Sequence, residues 1–417
     1  MPATDRAALV GRYRRYLGAG RARLAEYIGA GIEVSSSGST VTTADGASLL
    51  DCGGYSVFLL GHCHEAVVEA VVEQVRRHPL ATRLLLEPTI AEAAQALVSL
   101  APEGLDKAFL VNSGAEATEL ALKLARAHGR TELVCMRGGY HGKTLGALSV
   151  TSNQLYQSLF APLLDATAVD YGDPDALREV LAGVPGRAAV ILEPVLGEGG
   201  VVVPPRGYLA EVERLCRQYD ATLIVDEIQT GLGRCGRTWA HQPEIECPDI
   251  LLVGKALSGG VVPVAAVLAT DVLFKPVADD PALHSSTFGG SPLASAAVLA
   301  TLRTLDRERI VERAGELGDI LLRAVVDVCA PYRELIVEVR GAGLLLGIEF
   351  VRPDVTAEVA TTMLHHGVIV NHSLNDHAVL RITPPAVMTP DEVERLVDCL
   401  HLSLDEVSRS FVALATT

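Results

Sequence analysis

Between about residues 105 and 270, six short apolar or β-branched runs recur: KAFLV (107–111), ELVCM (132–136), AAVILE (188–193), TLIVDE (222–227), DILLV (249–253) and VAAVLA (264–269). Runs of this length without polar alternation belong to strands covered on both faces. The amphipathic segments Glu116–His128 and Tyr208–Tyr219 fall between them and supply such cover. The pattern predicts an α/β protein whose large domain is a mostly parallel sheet flanked by helices. After about residue 308 it changes to two helices, a strand pair around 335–350, another helix, a strand around 379–383 and a final helix from TPDE (389–392). These read as a smaller α/β domain. Residues 1–52 end in the hairpin-like STVTTADGASLLDC (39–52) and have no core of their own. The expected division is therefore 1–52 packed with the small domain, 53–307 as the large domain and 308–417 as the small one.

In an open parallel sheet, ligands sit beyond the carboxyl ends of the strands. Lys255 lies there, in the apolar stretch ILLVGKALSGGVVPVAAVLA (250–269). The chain holds 30 Arg and only five Lys, so a lysine kept in such surroundings asks for a chemical reason. Burying an ammonium without a partner costs several kcal/mol, roughly, and the escape is to lose the proton or form a bond.

Other polar residues gather at the same edge. In VNSGAEATELALKLAR (111–126) a strand gives way to small residues and then a helix. The amides of Gly114 and Ala115 with the Ser113 hydroxyl would cradle a phosphate, although alone they read as an ordinary N-cap with Glu116. TLIVDEIQTGLGRCG (222–236) brings Asp226 and Glu227 to a strand end. GGYHGKT (138–144) offers Tyr140 on a glycine-flanked turn, to stack on a flat ring or merely to pack, and STFGGSPLASAA (286–297) is a second candidate phosphate contact. Residues 231–236 fit G-x-G-x-x-G, but the glycine does not directly follow the strand and 237–250 holds no convincing helix, which argues against a nicotinamide dehydrogenase. A reactive lysine, an acid, a phosphate cradle and a stacking aromatic together meet the needs of pyridoxal 5'-phosphate, and Lys255 is tolerated as the amine that bonds its aldehyde.

The remaining composition excludes other functions. A net charge of −16 with no basic run predicts binding neither to nucleic acid nor to anionic membranes. The first 20 residues lack a signal-peptide core and no apolar stretch reaches a membrane span, so the expectation is a cytoplasmic protein. The eight cysteines are scattered without a C-x-x-C, and His62-Cys63-His64 has no second ligand cluster, so no metal site is expected.

NSGAEATE, GGYHGKT, EPVLGEGG, VDEIQTGLGR, Lys255, STFGG and LRITPP occur in an order that resembles the class III (omega) aminotransferases of pyridoxal-phosphate fold type I, from about residue 45 to 400. The resemblance implies that Lys255 bonds the cofactor and shuttles the proton, and that Asp226 pairs with the pyridine nitrogen. Gln229 contacts the ring hydroxyl, and Tyr140 and Ile228 cover the two ring faces. Ser113, Gly114 and Ala115 form the phosphate cup, and Thr287 reaches the phosphate of a neighbouring subunit, so the active unit is a homodimer with shared sites. Arg381 clamps the α-carboxylate of glutamate or 2-oxoglutarate, Glu193 neutralises it in their absence, and Tyr55 lines the pocket. Leu196 departs from the family, which usually has Gln there. HSSTFGGSPLASAAVLATL, NHSLNDHAVLRITPP and GGYSVFLLGH look most similar to the putrescine and diamine aminotransferases. The expected reaction moves a terminal amino group from such an amine to 2-oxoglutarate, or runs in reverse to aminate a biosynthetic aldehyde. An aminomutase of the glutamate-semialdehyde type and a decarboxylating transaminase keep the cofactor and change the reaction; a noncatalytic interaction protein would not keep Lys255 and Asp226.

Overall fold

Successive side chains of a strand point to opposite faces, and the central strands divide their residues accordingly. Leu133, Cys135, Ala189, Ile191, Ile224 and Leu252 join one buried cluster, whereas Val134, Met136, Val190, Leu192, Val225 and Leu251 join the other. Both faces are thus dry, as uninterrupted apolar runs require. The computed structural model describes residues 5–242 and 244–415, with side chains as far as Ser410.

In chain order, β1 (Glu33–Ser37), β2 (Thr40–Thr43) and β3 (Ser48–Asp51) form an antiparallel meander. The large sheet contains β4 (Lys107–Val111), β5 (Glu132–Met136), β6 (Ala166–Val169), β7 (Ala188–Leu192), β8 (Thr222–Asp226), β9 (Ile250–Val253) and β10 (Ala265–Ala269). Its order is β4-β10-β9-β8-β7-β5-β6, parallel throughout except β10, which runs antiparallel to both neighbours. Helix Gly114–Ala127 buries Ala117, Leu120, Ala121 and Leu124 against one face, and helix Tyr208–Gln218 buries Leu209, Val212 and Leu215 against the other. The mixed α/β architecture expected from the sequence is therefore present.

The C-terminal strands are β11 (Ile336–Ala342), β12 (Leu345–Phe350), β13 (Val368–Ile369), β14 (Asn371–His372) and β15 (Val379–Ile382). The order β11-β12-β15-β14 is antiparallel, and β13 pairs in parallel with β3, tying residues 48–51 to 368–369. Two sequence expectations change. The two helices expected after residue 308 are one, Ile310–Cys329, and β6 appears where no strand was expected. Gly318 does not end that long helix; a Cβ there would overlap the backbone of Gly343, so it permits close approach to the hairpin turn between β11 and β12. Gly343 in turn lies against the backbone of Arg234–Gly236. The glycines of 231–236 thus serve chain packing, and among the described residues no helix follows them before β9. Among the described residues no helix is long and apolar enough to cross a membrane.

Candidate active site

Asp226 is the last residue of β8 and is 3% exposed. A carboxylate so placed needs partners. Its Oδ2 lies 2.7 Å from His141 Nδ1 and its Oδ1 accepts from the Ile228 amide at 3.0 Å. His141 is itself pinned: its amide donates to Thr151 Oγ1 and its carbonyl accepts from Thr118 Oγ1, both at 2.9 Å. The sequence placed His141 on a glycine-flanked turn without revealing its partner. Its Nε2 is buried with no hydrogen-bond partner among the described residues.

Lys255 follows β9 after Gly254 and opens a short 3-10 turn with φ 45°, left-handed for a residue with a side chain. Loss of hydration lowers its pKa; Arg381 acts in the same direction, while Glu198, Glu193 and Asp226 oppose. All four charged neighbours therefore converge on one amine.

Glu193, just past β7, is 3% exposed. Its Oε1 accepts from the Tyr140 amide at 2.9 Å and its Oε2 from the Gly197 amide at 3.2 Å. Burial pushes its pKa up to about 7, and the nearby Asp226 adds to the rise, against His141, the Tyr140 amide and Lys255. Burial likewise raises the Tyr140 phenol to about 12.

The expectation that Glu193 covers Arg381 is not met. Arg381, on β15, pairs through Nη1 with Glu198 Oε1 at 2.5 Å, and the two side chains are 1% and 3% exposed. The other Glu198 oxygen accepts from the Leu374 amide at 3.0 Å. The reason lies in the turn: Leu196 and Val202 bridge antiparallel, which reverses the chain and carries Glu198 toward Arg381 while Glu193 stays under the Tyr140 turn. Arg381 Nε and Nη2 are buried and have no hydrogen-bond partner among the described residues.

Ser113 caps helix Gly114–Ala127, accepting from the Glu116 amide at 3.2 Å. Glu116 reaches back to the Asn112 amide, at 2.8 Å, rather than to that of Ser113. The amides of Gly114 and Ala115 precede the first intrahelical bond, from Ala117 N to Ser113 O. The helix start therefore retains free donors together with its positive dipole end. Ile228 packs against Gly114 and Gly254. Gln229, 4% exposed, donates through Nε2 to Ser56 Oγ at 3.3 Å, and its Oε1 is buried without a partner among the described residues. A Cβ at Gly197 would overlap Gln229 Oε1, so a larger residue there would displace the Gln229 amide.

Tyr55 is half-exposed and left-handed, at φ 49°. Thr287 is exposed on a loop, and its carbonyl accepts from Arg83 Nη2 at 3.2 Å. The neighbouring Ser286 Oγ accepts from Asn112 Nδ2 at 2.9 Å, next to Ser113. Among the described residues no group of three or more His, Cys, Asp or Glu is arranged to hold a metal. His62 is occupied by Asp51 and His64 by Glu308.

A buried acid braced by histidine, a lysine stripped of water, free helix-start amides and a guanidinium with spare donors can hold an anionic cofactor, protonate a ring nitrogen, move a proton and bind a carboxylate. The family model described as aminotransferase class-III matches residues 31–404. The fold is similar to an ornithine aminotransferase from Toxoplasma gondii at 32% identity and TM-score 0.90, covering 98% of this chain and 97% of that one. It is similar to a thermostable (S)-enantioselective omega-transaminase from Thermomicrobium roseum at 28% identity and TM-score 0.89, covering 97% and 99%. An ornithine aminotransferase from Plasmodium yoelii matches at 27% identity and TM-score 0.83, over 97% and 100%.

Proposed function

This chain belongs to the class-III aminotransferases, pyridoxal-phosphate enzymes of fold type I, and we propose that it transfers a terminal amino group from a diamine such as putrescine, or another primary amine, to 2-oxoglutarate in the cytoplasm. The reverse direction would aminate a biosynthetic aldehyde. The omega-transaminase and ornithine aminotransferase names of its structural neighbours support a terminal amine as donor. The observation that carries the reading is the buried Arg381–Glu198 pair beside Lys255.

The residues fit the cofactor: the unpartnered Gln229 Oε1 and the free amides of Gly114 and Ala115 are the groups a ring hydroxyl and a phosphate would satisfy. Pyridoxal phosphate, when bound, supplies an aldehyde for the amine and a ring that accepts electrons from the neighbouring carbon. In this reading Asp226, fixed by His141, keeps a proton on the ring nitrogen. Tyr140 and Ile228 would cover the ring faces, and Ser113, Gly114 and Ala115 would hold the phosphate. Lys255 Nζ would hold the cofactor through its aldehyde and, as an amine of lowered pKa, would serve as the proton carrier beside it. While the amine is bound, Glu198 neutralises Arg381; when glutamate or 2-oxoglutarate enters, its α-carboxylate replaces Glu198 and uses the spare guanidinium donors in a bidentate pair. Glu193 keeps the Tyr140 turn in place, and Tyr55 faces the substrate.

In the same reading the chain divides at about residues 52 and 307, and it works as a homodimer in which Thr287 reaches the partner's phosphate. Exposed Leu84, Leu85, Leu86 and Phe288 support this, because Arg83 joins the first segment to the Thr287 loop and such an apolar patch calls for cover. A panel of amine donors and oxo acids, read by amine-dependent glutamate formation, tests the substrate assignment. Formation of glutamate from 2-oxoglutarate with no terminal amine of the panel would overturn it.

A further inference from the structure

A buried acid–histidine pair that no step of the reaction uses lies one loop away from Tyr55. Asp51 Oδ2 stands 2.8 Å from His62 Nε2, and the side chains are 7% and 6% exposed. The His62 ring stacks on Phe58 with centroids 3.8 Å apart. Asp51 Oδ1 accepts from the amides of Gly53 and Gly54 at 2.9 and 3.0 Å. Burial alone would raise the Asp51 pKa, but His62 and the two amides outweigh it and hold the carboxyl below its usual value.

The loop so gripped touches the active site on two sides. The Gly53 carbonyl accepts from Asn371 Nδ2 at 2.7 Å and Thr383 Oγ1 at 3.2 Å. Asn371 is the strand partner of Arg381, and Thr383 lies two residues beyond it. After Gly54 the chain passes through Tyr55 and Ser56 at φ 49° and 65°, two consecutive left-handed residues that both carry side chains. Such a conformation persists only where the surroundings over-determine it. Ser56 Oγ then accepts from Gln229 Nε2. A carboxylate anchored by histidine at the start of this loop thus holds the amides of both glycines that precede the strained pair.

We propose that Asp51 and His62 form a positioning pair for the substrate side of the pocket: they lock Gly53 and Gly54 so that Tyr55 faces the substrate and the strand ends flanking Arg381 stay braced. The proposal rests on the reading of Tyr55 as a pocket residue. It predicts a larger effect on substrate binding than on cofactor affinity, which the loop reaches only through Ser56 and Gln229, whereas a merely structural pair would affect both alike or neither.

The test uses holoenzyme and the single-turnover half-reaction with L-glutamate. Asp51→Ala raises the half-saturating glutamate concentration about tenfold and changes cofactor affinity by much less. Asp51→Asn, which keeps an oxygen toward both amides, restores most of the loss. Asp51→Ala combined with Tyr55→Ala costs less than the sum of the two, because the pair acts through Tyr55. Additive losses, or cofactor affinity falling in step with glutamate binding, overturn the positioning role. Should Asp51→Ala fail to fold, His62→Gln takes its place in the cycle with the same expected coupling, and additivity there overturns the proposal equally. A Tyr55→Ala variant with unaltered glutamate binding sinks the pocket reading and this proposal together; a weakened Tyr55→Ala with additive Asp51 losses sinks only the latter.

Discussion

At Asp226 both carboxylate oxygens are taken, one by His141 and one by the Ile228 amide. At Arg381 one nitrogen holds Glu198, while Nε and Nη2 are buried with no hydrogen-bond partner among the described residues. Both groups are almost inaccessible and both act on Lys255, so burial does not distinguish them. The difference is in how many polar atoms are anchored. A group held at every polar atom keeps one position, with lone pairs left over for a ring nitrogen, and one with unheld donors can trade partners. The first suits a charge that must stay constant through the cycle, and the second suits a charge that must meet two unlike substrates.

The comparison breaks most visibly at Asp226. Asp226→Asn should retain cofactor and lose on the order of a thousandfold in kcat, since a buried pair is broken and the ring loses its anionic partner. Undiminished kcat, measured by steady-state turnover, would show that the constant charge lies elsewhere. At the exchangeable site, Arg381→Lys should raise KM for 2-oxoglutarate about a hundredfold with little change for the amine donor, because lysine cannot form the bidentate pair. Equal losses in both half-reactions would make Arg381 as fixed as Asp226.

Glu198→Ala sharpens the contrast further. It should slow the amine half-reaction about tenfold and spare the glutamate half, where the α-carboxylate covers Arg381 anyway. Single-turnover rates for each half separate the two effects. The last expected effect is on stability and leaves turnover aside. The Glu193 pKa is raised from 4.5 to about 7 by burial, so its contribution is complete below pH 4.5 and is lost as pH climbs through about 7. Glu193→Gln cannot ionise and should lack this loss. In thermal unfolding of the cofactor-free protein, variant and parent should diverge between pH 5 and pH 7.5 in favour of the variant, by at most about 3 kcal/mol. Parallel curves would mean that Glu193 is not held protonated.

The strands of the large sheet were legible because each carries an uninterrupted apolar run, a local signal that needs no knowledge of neighbours. β6 was not, because Ala166–Val169 is a short, half-buried edge strand. Lys255 stood out by chemical contrast, and Asp226 by ending a buried strand. His141 and Glu198 show where reading along the chain stops. His141 finds Asp226 across 85 positions, and Glu198 finds Arg381 across 183, so neither partnership leaves a local pattern. EPVLGEGG offers two carboxylates five residues apart; only the reversal at Leu196 and Val202 decides which one meets the guanidinium. The glycines on either side of Glu198 were the available hint, since a residue between glycines is often the one a tight turn presents.

The backbone contact of Gly318 on Gly343, and of Gly343 on Arg234–Gly236, has a mechanical meaning. Two parts of the chain that hold different halves of the charged site, the β8 side with Asp226 and the β12–β15 side with Arg381, meet there main chain against main chain. Main-chain thickness is fixed by covalent geometry, unlike the reach of a side chain, which changes with every rotamer. The contact therefore works as a spacer of constant gauge: thermal motion can rattle the side chains around the pocket, while the separation of its two walls is referred back to a dimension that does not vary.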